Sequence, residues 1–207
     1  MKEETIMAKT KEVQFNVKNV KYCLAATPLV ISDVAYASQI SFEAAINKLP
    51  IYGDGQKLTE IFADQGFTGA LTLIQVPEDF LKDLGYKQEV DGTGIADISV
   101  SKSVEVHLYY EIEVHENDVT KTVKFWCYNV ILERPAESYQ QTTETPNLTT
   151  YELPFTILGI NLLNTAGTAD YTDTNGNTVK VWRQRKRPTD TDYATFGTLT
   201  VPKVKAA

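Results

Sequence analysis

One cluster of metal-ligand side chains stands out in the sequence, between residues 105 and 115. Alternate residues of a β-strand share one face about 7 Å apart, so such a cluster could chelate a metal loosely if a third element closed the site. The chain has only 2 histidines, and both lie in this cluster, so a solvated acidic face is favoured over a metal site. The cluster comprises Glu105, His107, Glu111, Glu113 and His115.

A basic cluster, RQRKR, occupies residues 183–187. It could contact phosphate or an acidic partner, and the commoner alternative is the solvated end of a hairpin. Binding to nucleic acid depends on neutralising phosphates with Lys and Arg, whereas this chain has a net charge of −7. If the cluster has a partner, an acidic protein is therefore favoured over nucleic acid.

Four aromatic residues, Tyr109, Tyr110, Trp126 and Tyr128, could form a platform on which sugars stack. Aromatic residues on strands more often pack across the sheet, and we favour that interpretation here.

Motifs for catalysis are missing from the sequence. It contains no phosphate-binding glycine loop, nucleophile elbow or paired Cys–His motif. We expect no enzymatic activity, no catalytic or metal-binding residues and no cofactor.

Composition indicates one main folded domain, with 43% hydrophobic and 23% charged residues in 207. No apolar run is long enough to span a bilayer, and the first fifteen residues lack the apolar stretch of a signal peptide, so we expect synthesis in the cytoplasm and no membrane partner. Cys23 and Cys127 each lie among apolar neighbours and are predicted to be buried, reduced thiols.

Alternation of apolar and polar residues predicts a mainly β protein. The clearest case is a long hairpin whose strands meet at Asn117 and Asp118. A TNGN turn at 174–177 predicts a second hairpin near the C-terminus. Strands are predicted over 12–25, 40–46, 57–64, 67–76, 104–115, 119–133, 138–144 and 149–157, with a long loop, NKLPIYGDGQ, over 47–56.

One short helix is predicted over 77–85, where a proline opens the segment and Gly85 ends it. Phe80, Leu81 and Leu84 fall on one face. A helix this short is unstable alone in water, so that face must dock on the sheet.

Three segments together resemble the major tail protein family of long-tailed, non-contractile bacteriophages (siphophages). They are KEVQFNVKNVKYCLA, DQGFTGALTLIQVPEDFLKDLGYK and FWCYNVILERPAESYQQTTETPNLTTYELPFTI, and the resemblance runs from about residue 8 to about residue 160. The most specific elements are an aromatic-Thr-Gly strand leading into a PxxF helix start, and an Arg-Pro pair before Thr- and Glu-rich strands: Phe67, Thr68, Gly69, Pro77, Phe80, Arg134 and Pro135.

The resemblance implies a two-sheet β-sandwich, barrel-like when assembled, with one flanking helix. It divides the chain into an N-terminal arm (1–11), a tail tube domain (12–160) and a C-terminal extension with a hairpin (161–207). It also implies a structural virion protein that forms stacked hexameric rings, the tail tube through which DNA reaches the host cell. The implied partners are other copies of itself, tail terminator and tail tip proteins, and, in the lumen, tape measure protein and transiently DNA.

Two sets of residues acquire expected roles in such a tube. The loop residues Leu49, Pro50, Ile51, Tyr52, Gly53 and Asp54 are predicted to make contacts between stacked rings, because a long apolar surface loop needs a partner. Glu105, Glu111 and Glu113 are predicted to contribute to an acidic lumen that DNA does not adhere to. The alternative function is a carbohydrate-binding β-sandwich module of a phage or cell-surface protein.

Overall fold

The computed structural model describes residues 12–28, 30–34, 36–92, 94–100, 102–137, 149–199 and 201–204. The fold is mainly β with one short helix, as the sequence predicts. The N-terminal arm (1–11) and the strand predicted over 138–144 lie outside the described residues.

Twelve strands and one helix are found within those ranges. They are β1 Glu12–Leu24, β2 Ser32–Asp33, β3 Ala37–Gly53, β4 Gln56–Leu73, α1 Glu78–Asp83, β5 Lys87–Val90, β6 Gly94–Asp97, β7 Glu105–Glu116, β8 Val119–Leu132, β9 Tyr151–Ile157, β10 Ile160–Asn161, β11 Lys180–Val181 and β12 Arg183–Lys186.

Most strands belong to one antiparallel sheet in the order β2-β1-β7-β8-β9-β4-β3, and β12 also pairs with β8. The sheet folds over on itself, so that apolar residues of β1, β7 and β8 pack against those of β3, β4 and β9. Leu71, Leu108 and Phe155 are buried in this shared core, and the ring of Phe42 on β3 stacks on Tyr110 of β7 at 5.5 Å. The result is a β-sandwich-like body made from one sheet.

The opposite face of β7 and β8 is also covered. Cys23, Tyr109, Trp126 and Tyr128 form a second buried cluster with Phe196 of the C-terminal segment. The Trp126 indole N–H donates to the Phe196 carbonyl at 2.7 Å, and the Tyr193 hydroxyl donates to the Thr122 carbonyl at 2.8 Å. The central hairpin is therefore buried on both faces.

Helix α1 is shorter than predicted, beginning at Glu78 with Pro77 as its N-cap. Phe80, Leu81 and Leu84 are all buried, and the Phe80 ring lies 4.6 Å from that of Tyr22 on β1. At the other end, the Gly85 N–H bonds the Lys82 carbonyl and the Tyr86 N–H bonds the Leu81 carbonyl, a Schellman motif.

The predicted loop over 47–56 is wrong: these residues continue the two strands to a two-residue turn. Asn47 pairs with Ala63 and Gly53 with Gln56, leaving Asp54 and Gly55 with φ of 51° and 76°. That is the Asp-Gly hairpin turn in which both residues need positive φ. Pro50 is accommodated in β3 because β3 is the last strand of its sheet, where a missing N–H is tolerated.

The C-terminal TNGN turn is present, with less pairing beside it than a regular hairpin has. The Asp173 side chain accepts the N–H groups of Asn175 and Asn177, both at 2.9 Å, and Thr172 and Thr178 form a single bridge. The strands that follow the turn pair elsewhere, β11 with β10 and β12 with β8.

Gly69 is a position where the fold has no room for a side chain. A Cβ there would lie 2.0 Å from the Ser41 carbonyl oxygen and 2.7 Å from Cζ of Phe155. Gly69→Ala should therefore cost about 1–3 kcal/mol of unfolding free energy, measured by urea denaturation. Gly94→Ala is the matched control, since nothing lies within 4 Å of its added Cβ. Equal midpoints for the two variants would contradict this packing.

Candidate assembly interface

The Glu/His cluster of β7 is largely engaged within the chain. Glu111 is only 9% exposed, and it accepts hydrogen bonds from the Tyr109 hydroxyl at 2.6 Å and the Asn19 amide at 2.7 Å. Glu113 accepts from Lys18 Nζ at 2.7 Å and Asn16 Nδ2 at 2.9 Å, and the Lys18 bond holds the pKa of Glu113 below its usual value. These carboxylates fix two residues of β1 with positive φ, Asn16 and Asn19, against β7.

The predicted solvated acidic face is therefore wrong for Glu111. Alternation along the strand gave the correct face, but it carried no information about the C-terminal segment that packs over it. Glu105 is half-buried. Lumen lining by Glu105, Glu111 and Glu113 stays a prediction.

The two histidines have different surroundings and do not converge. His107 is buried, its ring lies edge-on to Tyr128 at 5.8 Å, and its Nδ1 accepts the Asn129 N–H at 3.1 Å. His115 is exposed. Across the described residues, no group of three or more His, Cys, Asp or Glu side chains is placed to hold a metal ion.

The aromatic platform considered for sugars is not on the surface. Tyr109, Tyr110, Trp126 and Tyr128 are all buried, split between the two cores. The prediction that they pack across strands is confirmed.

Both cysteines are free and buried, as predicted. Burial raises the pKa of Cys23 to about 11 and that of Cys127 to about 12. Among the described residues, no helix has the length and apolar character needed to cross a membrane.

Beyond the body, β3 and β4 continue as a two-stranded ribbon over residues 46–64, here called the arm. Within the described part of the chain, the residues between Ile46 and Asp64 pair only with one another. Tyr52 is 65% exposed and Leu58 is 68% exposed. Seven large apolar side chains are exposed on this ribbon: Ile46, Leu49, Ile51, Tyr52, Leu58, Ile61 and Phe62.

The arm has two unlike faces. Leu49 and Ile61 are direct cross-strand partners, and Ile51 lies beside them on a face without charges. The other face carries a Lys57–Glu60 ion pair at 2.8 Å and Lys48 over the Phe62 ring at 5.5 Å. Sequence reasoning found the β3 half of the apolar face but missed the β4 half, for which the signal was the alternation in LTEIFA.

A second exposed apolar patch lies at the opposite end of the same pair of strands. Tyr36 and Ile74 flank the first residue of β3 and the last of β4, and the Ile74 N–H bonds the Tyr36 carbonyl at 2.9 Å. Both side chains are exposed. The strand pair therefore presents apolar surface at each end.

The basic cluster lies on β12 at one open end of the sandwich. Residues at alternate positions share a face, so Arg183 and Arg185 lie on the same side of β12, and both line a cavity of about 380 Å³. The two side chains are exposed. Sequence reasoning identified the charges, but not the aromatic rings that β3, β7 and β8 place beneath them.

No protein-family model matches the chain, and no curated protein does. Function is therefore inferred from the arm, the Tyr36–Ile74 patch and the basic cluster on β12.

The buried His107 makes stability depend on pH. Burial lowers its pKa below the usual 6.5, so the neutral ring is favoured in the folded state. A base whose pKa is depressed by folding contributes full stability above its unfolded pKa, and stability falls as pH drops below about 6.5. We expect the urea midpoint to decrease as the pH is lowered from about 7 to about 5.5. This range lies above the pH at which carboxylates titrate.

Substitution of each histidine separates this contribution from others. His107→Gln should flatten the slope of stability in that pH range, whereas the exposed-site control His115→Gln should retain it. An unchanged slope in His107→Gln would contradict the assignment.

Proposed function

We propose that this protein is a structural subunit that self-assembles into the tail tube of a siphophage. In this proposal hexameric rings stack to form a conduit for DNA in the virion tail. The observation that carries the proposal is the arm, which exposes apolar side chains far from the core that could otherwise cover them.

The seven exposed apolar side chains of the arm lie where only another molecule could cover them. Burial of one large apolar side chain contributes roughly 1.5–3 kcal/mol, so covering several offsets the entropy lost on association. Monomeric proteins rarely keep such contiguous apolar surface without a partner. An assembling protein is the function class that this surface favours.

Backbone groups add to the same tendency. β3, which is 17 residues long, is the last strand of the main sheet, and no further strand pairs with its outer edge in the described part of the chain. An open edge of that length is a template for a strand from another molecule. When such edges pair from one copy to the next around a closed ring, no open edge remains. This arrangement fits the barrel implied by the resemblance.

The position of the two apolar patches favours head-to-tail contacts. The arm and the Tyr36–Ile74 patch are different surfaces at opposite ends of one strand pair. Contacts between unlike surfaces generate rings or open filaments rather than closed dimers. Stacked rings need contacts that close each ring and contacts that repeat along the tube.

Charge is compatible with a conduit for DNA. With a net charge of −7, the chain repels phosphate rather than holding it. The further partners in this proposal are the tape measure protein inside the tube and the tail terminator and tail tip proteins at its ends.

The arm can be tested without destroying its ribbon. Leu49→Lys combined with Ile61→Glu replaces two apolar partners by a cross-strand ion pair, which preserves pairing. We expect a folded protein with an unchanged melting temperature that no longer forms tubes at concentrations where the wild type does. Negative-stain microscopy and sedimentation velocity measure this.

The matched control changes exposed apolar residues elsewhere. Val90→Glu with Ile95→Lys alters the β5–β6 hairpin, whose side chains are also exposed, and it should assemble normally because the new lysine faces Glu89. Tubes of normal length from the Leu49/Ile61 variant would sink the proposed role of the arm.

A further inference from the structure

Arg183 is held over a group of aromatic rings. Its guanidinium carbon lies 4.8 Å from the ring centre of Phe42 and 5.3 Å from that of Phe125. Nη1 donates to the Tyr110 hydroxyl at 3.2 Å, and the Tyr110 ring stacks on Phe125 at 4.8 Å. The charge is thereby positioned at the cavity wall, with most of its N–H groups still unused.

The cavity is lined by hydrogen-bond donors but by no carboxylate. Among the described residues, neither Arg183 nor Arg185 has a carboxylate within ion-pair distance. The neighbouring carboxylate of Glu12 is already engaged, with Oε2 bonded to Arg187 at 2.7 Å and Oε1 to Gln14 at 3.0 Å. Burial raises the pKa of Tyr110, so its hydroxyl keeps a proton to donate.

The shape of the cavity favours a side chain over a phosphate backbone. Val17, Ile40, Phe42 and Ile112 line it with apolar surface, and its volume of about 380 Å³ suits one or two side chains. Guanidinium groups bind carboxylates through paired hydrogen bonds, and aromatic walls bind an apolar neighbour. The matching ligand is a carboxylate flanked by an aromatic or aliphatic side chain.

The tip of the arm has this chemistry. Asp54 is exposed at the turn with no ion-pair partner among the described residues, since Lys57 is bonded to Glu60. Tyr52 and Leu58 lie beside it and are exposed. Charge and apolar character both complement the cavity.

A chain cannot place its own tip in its own cavity. Phe42, in the cavity wall, and Asp54, at the tip, are separated by a continuous paired ribbon. Twelve residues of strand span about 40 Å. An occupant of the cavity must therefore come from a second copy.

We propose that the cavity beneath Arg183 and Arg185 receives the arm tip of a neighbouring copy and binds its Asp54 carboxylate. This inference rests on the proposed self-assembly and specifies one contact within it. The contact is head-to-tail, because donor and acceptor are different surfaces of the same chain.

Charge reversal on each side tests the pairing. Asp54→Lys and Arg183→Glu should each raise the concentration needed for assembly at least about tenfold, a change that corresponds to about 1.4 kcal/mol. An equimolar mixture of the two variants should assemble, because each tip then meets a complementary cavity. The double variant Asp54→Lys/Arg183→Glu should likewise recover.

Asp91→Lys is the matched control for the tip. Asp91 and Gly92 form a second exposed Asp-Gly pair, with φ of 50° and 63°, so the local cost of the lysine is the same. This variant should assemble like the wild type. Should Arg183→Glu fail to fold, Arg185→Glu replaces it, because Arg185 also lines the cavity but, among the described residues, does not lie over the aromatic rings as Arg183 does.

The outcomes separate this contact from the proposed function. If the wild-type protein formed no larger species at any concentration, both the proposed function and the proposed contact would be refuted. Assembly of the wild type together with normal assembly of either reversed variant would overturn the contact alone. So would failure of the mixture to assemble, or binding of short duplex DNA by the wild type that Arg183→Glu abolishes.

Discussion

The fold depends on how β8 shares one of its edges between two strands. Its residues 124–127 pair with β12, whereas residues 130–132 pair with β9. The change of partner occurs at Asn129, which has a φ of 47°. Since β9 leads on to β4 and β3, this divergence starts the bend that brings them over β1 and β7. A single sheet can then enclose a core.

Trp182 occupies the junction where the two partners diverge. A Cβ on Gly66 or Gly159 would lie within 2.7 Å of its ring, so the indole packs directly against the backbone at both positions. The Trp182 carbonyl accepts the Tyr128 N–H, and the Gly159 N–H donates to the Tyr128 carbonyl, both at 3.0 Å. Both partner segments therefore bond the same residue of β8. The cavity at this end of the sandwich exists because β12 turns away from β9 here.

Sequence patterns predicted those features that depend on near neighbours. The β7–β8 hairpin, the apolar side of α1 and the buried cysteines follow from periodicity, turn residues and composition. Features that depend on distant segments were missed. Phe196 covers the outer face of β7 from about ninety residues away, and no local pattern connects the two. The group of aromatic rings beneath Arg183 likewise needs side chains from four strands, β3, β4, β7 and β8.

The arm was wrongly predicted as a loop for a different reason. Its sequence contains Pro50, Gly53 and Gly55, which are typical of loops, and local propensity alone places a loop there. Pairing with the β4 half outweighs that propensity, because each strand residue is held by a partner across the ribbon. The apolar side chains were recognised, but the assignment of Leu49, Ile51 and Ile61 to one face and of Phe62 to the other required the register of the pair.

Pro50 and Lys48 also affect how the free chain behaves at high concentration. An apolar ribbon with a free edge can nucleate amyloid-like stacking when many copies are synthesised together. A proline in the edge strand removes one donor from that ladder, and an exposed lysine two residues away opposes close approach of a like chain. These residues act as gatekeepers that hinder disordered precipitation of the chain.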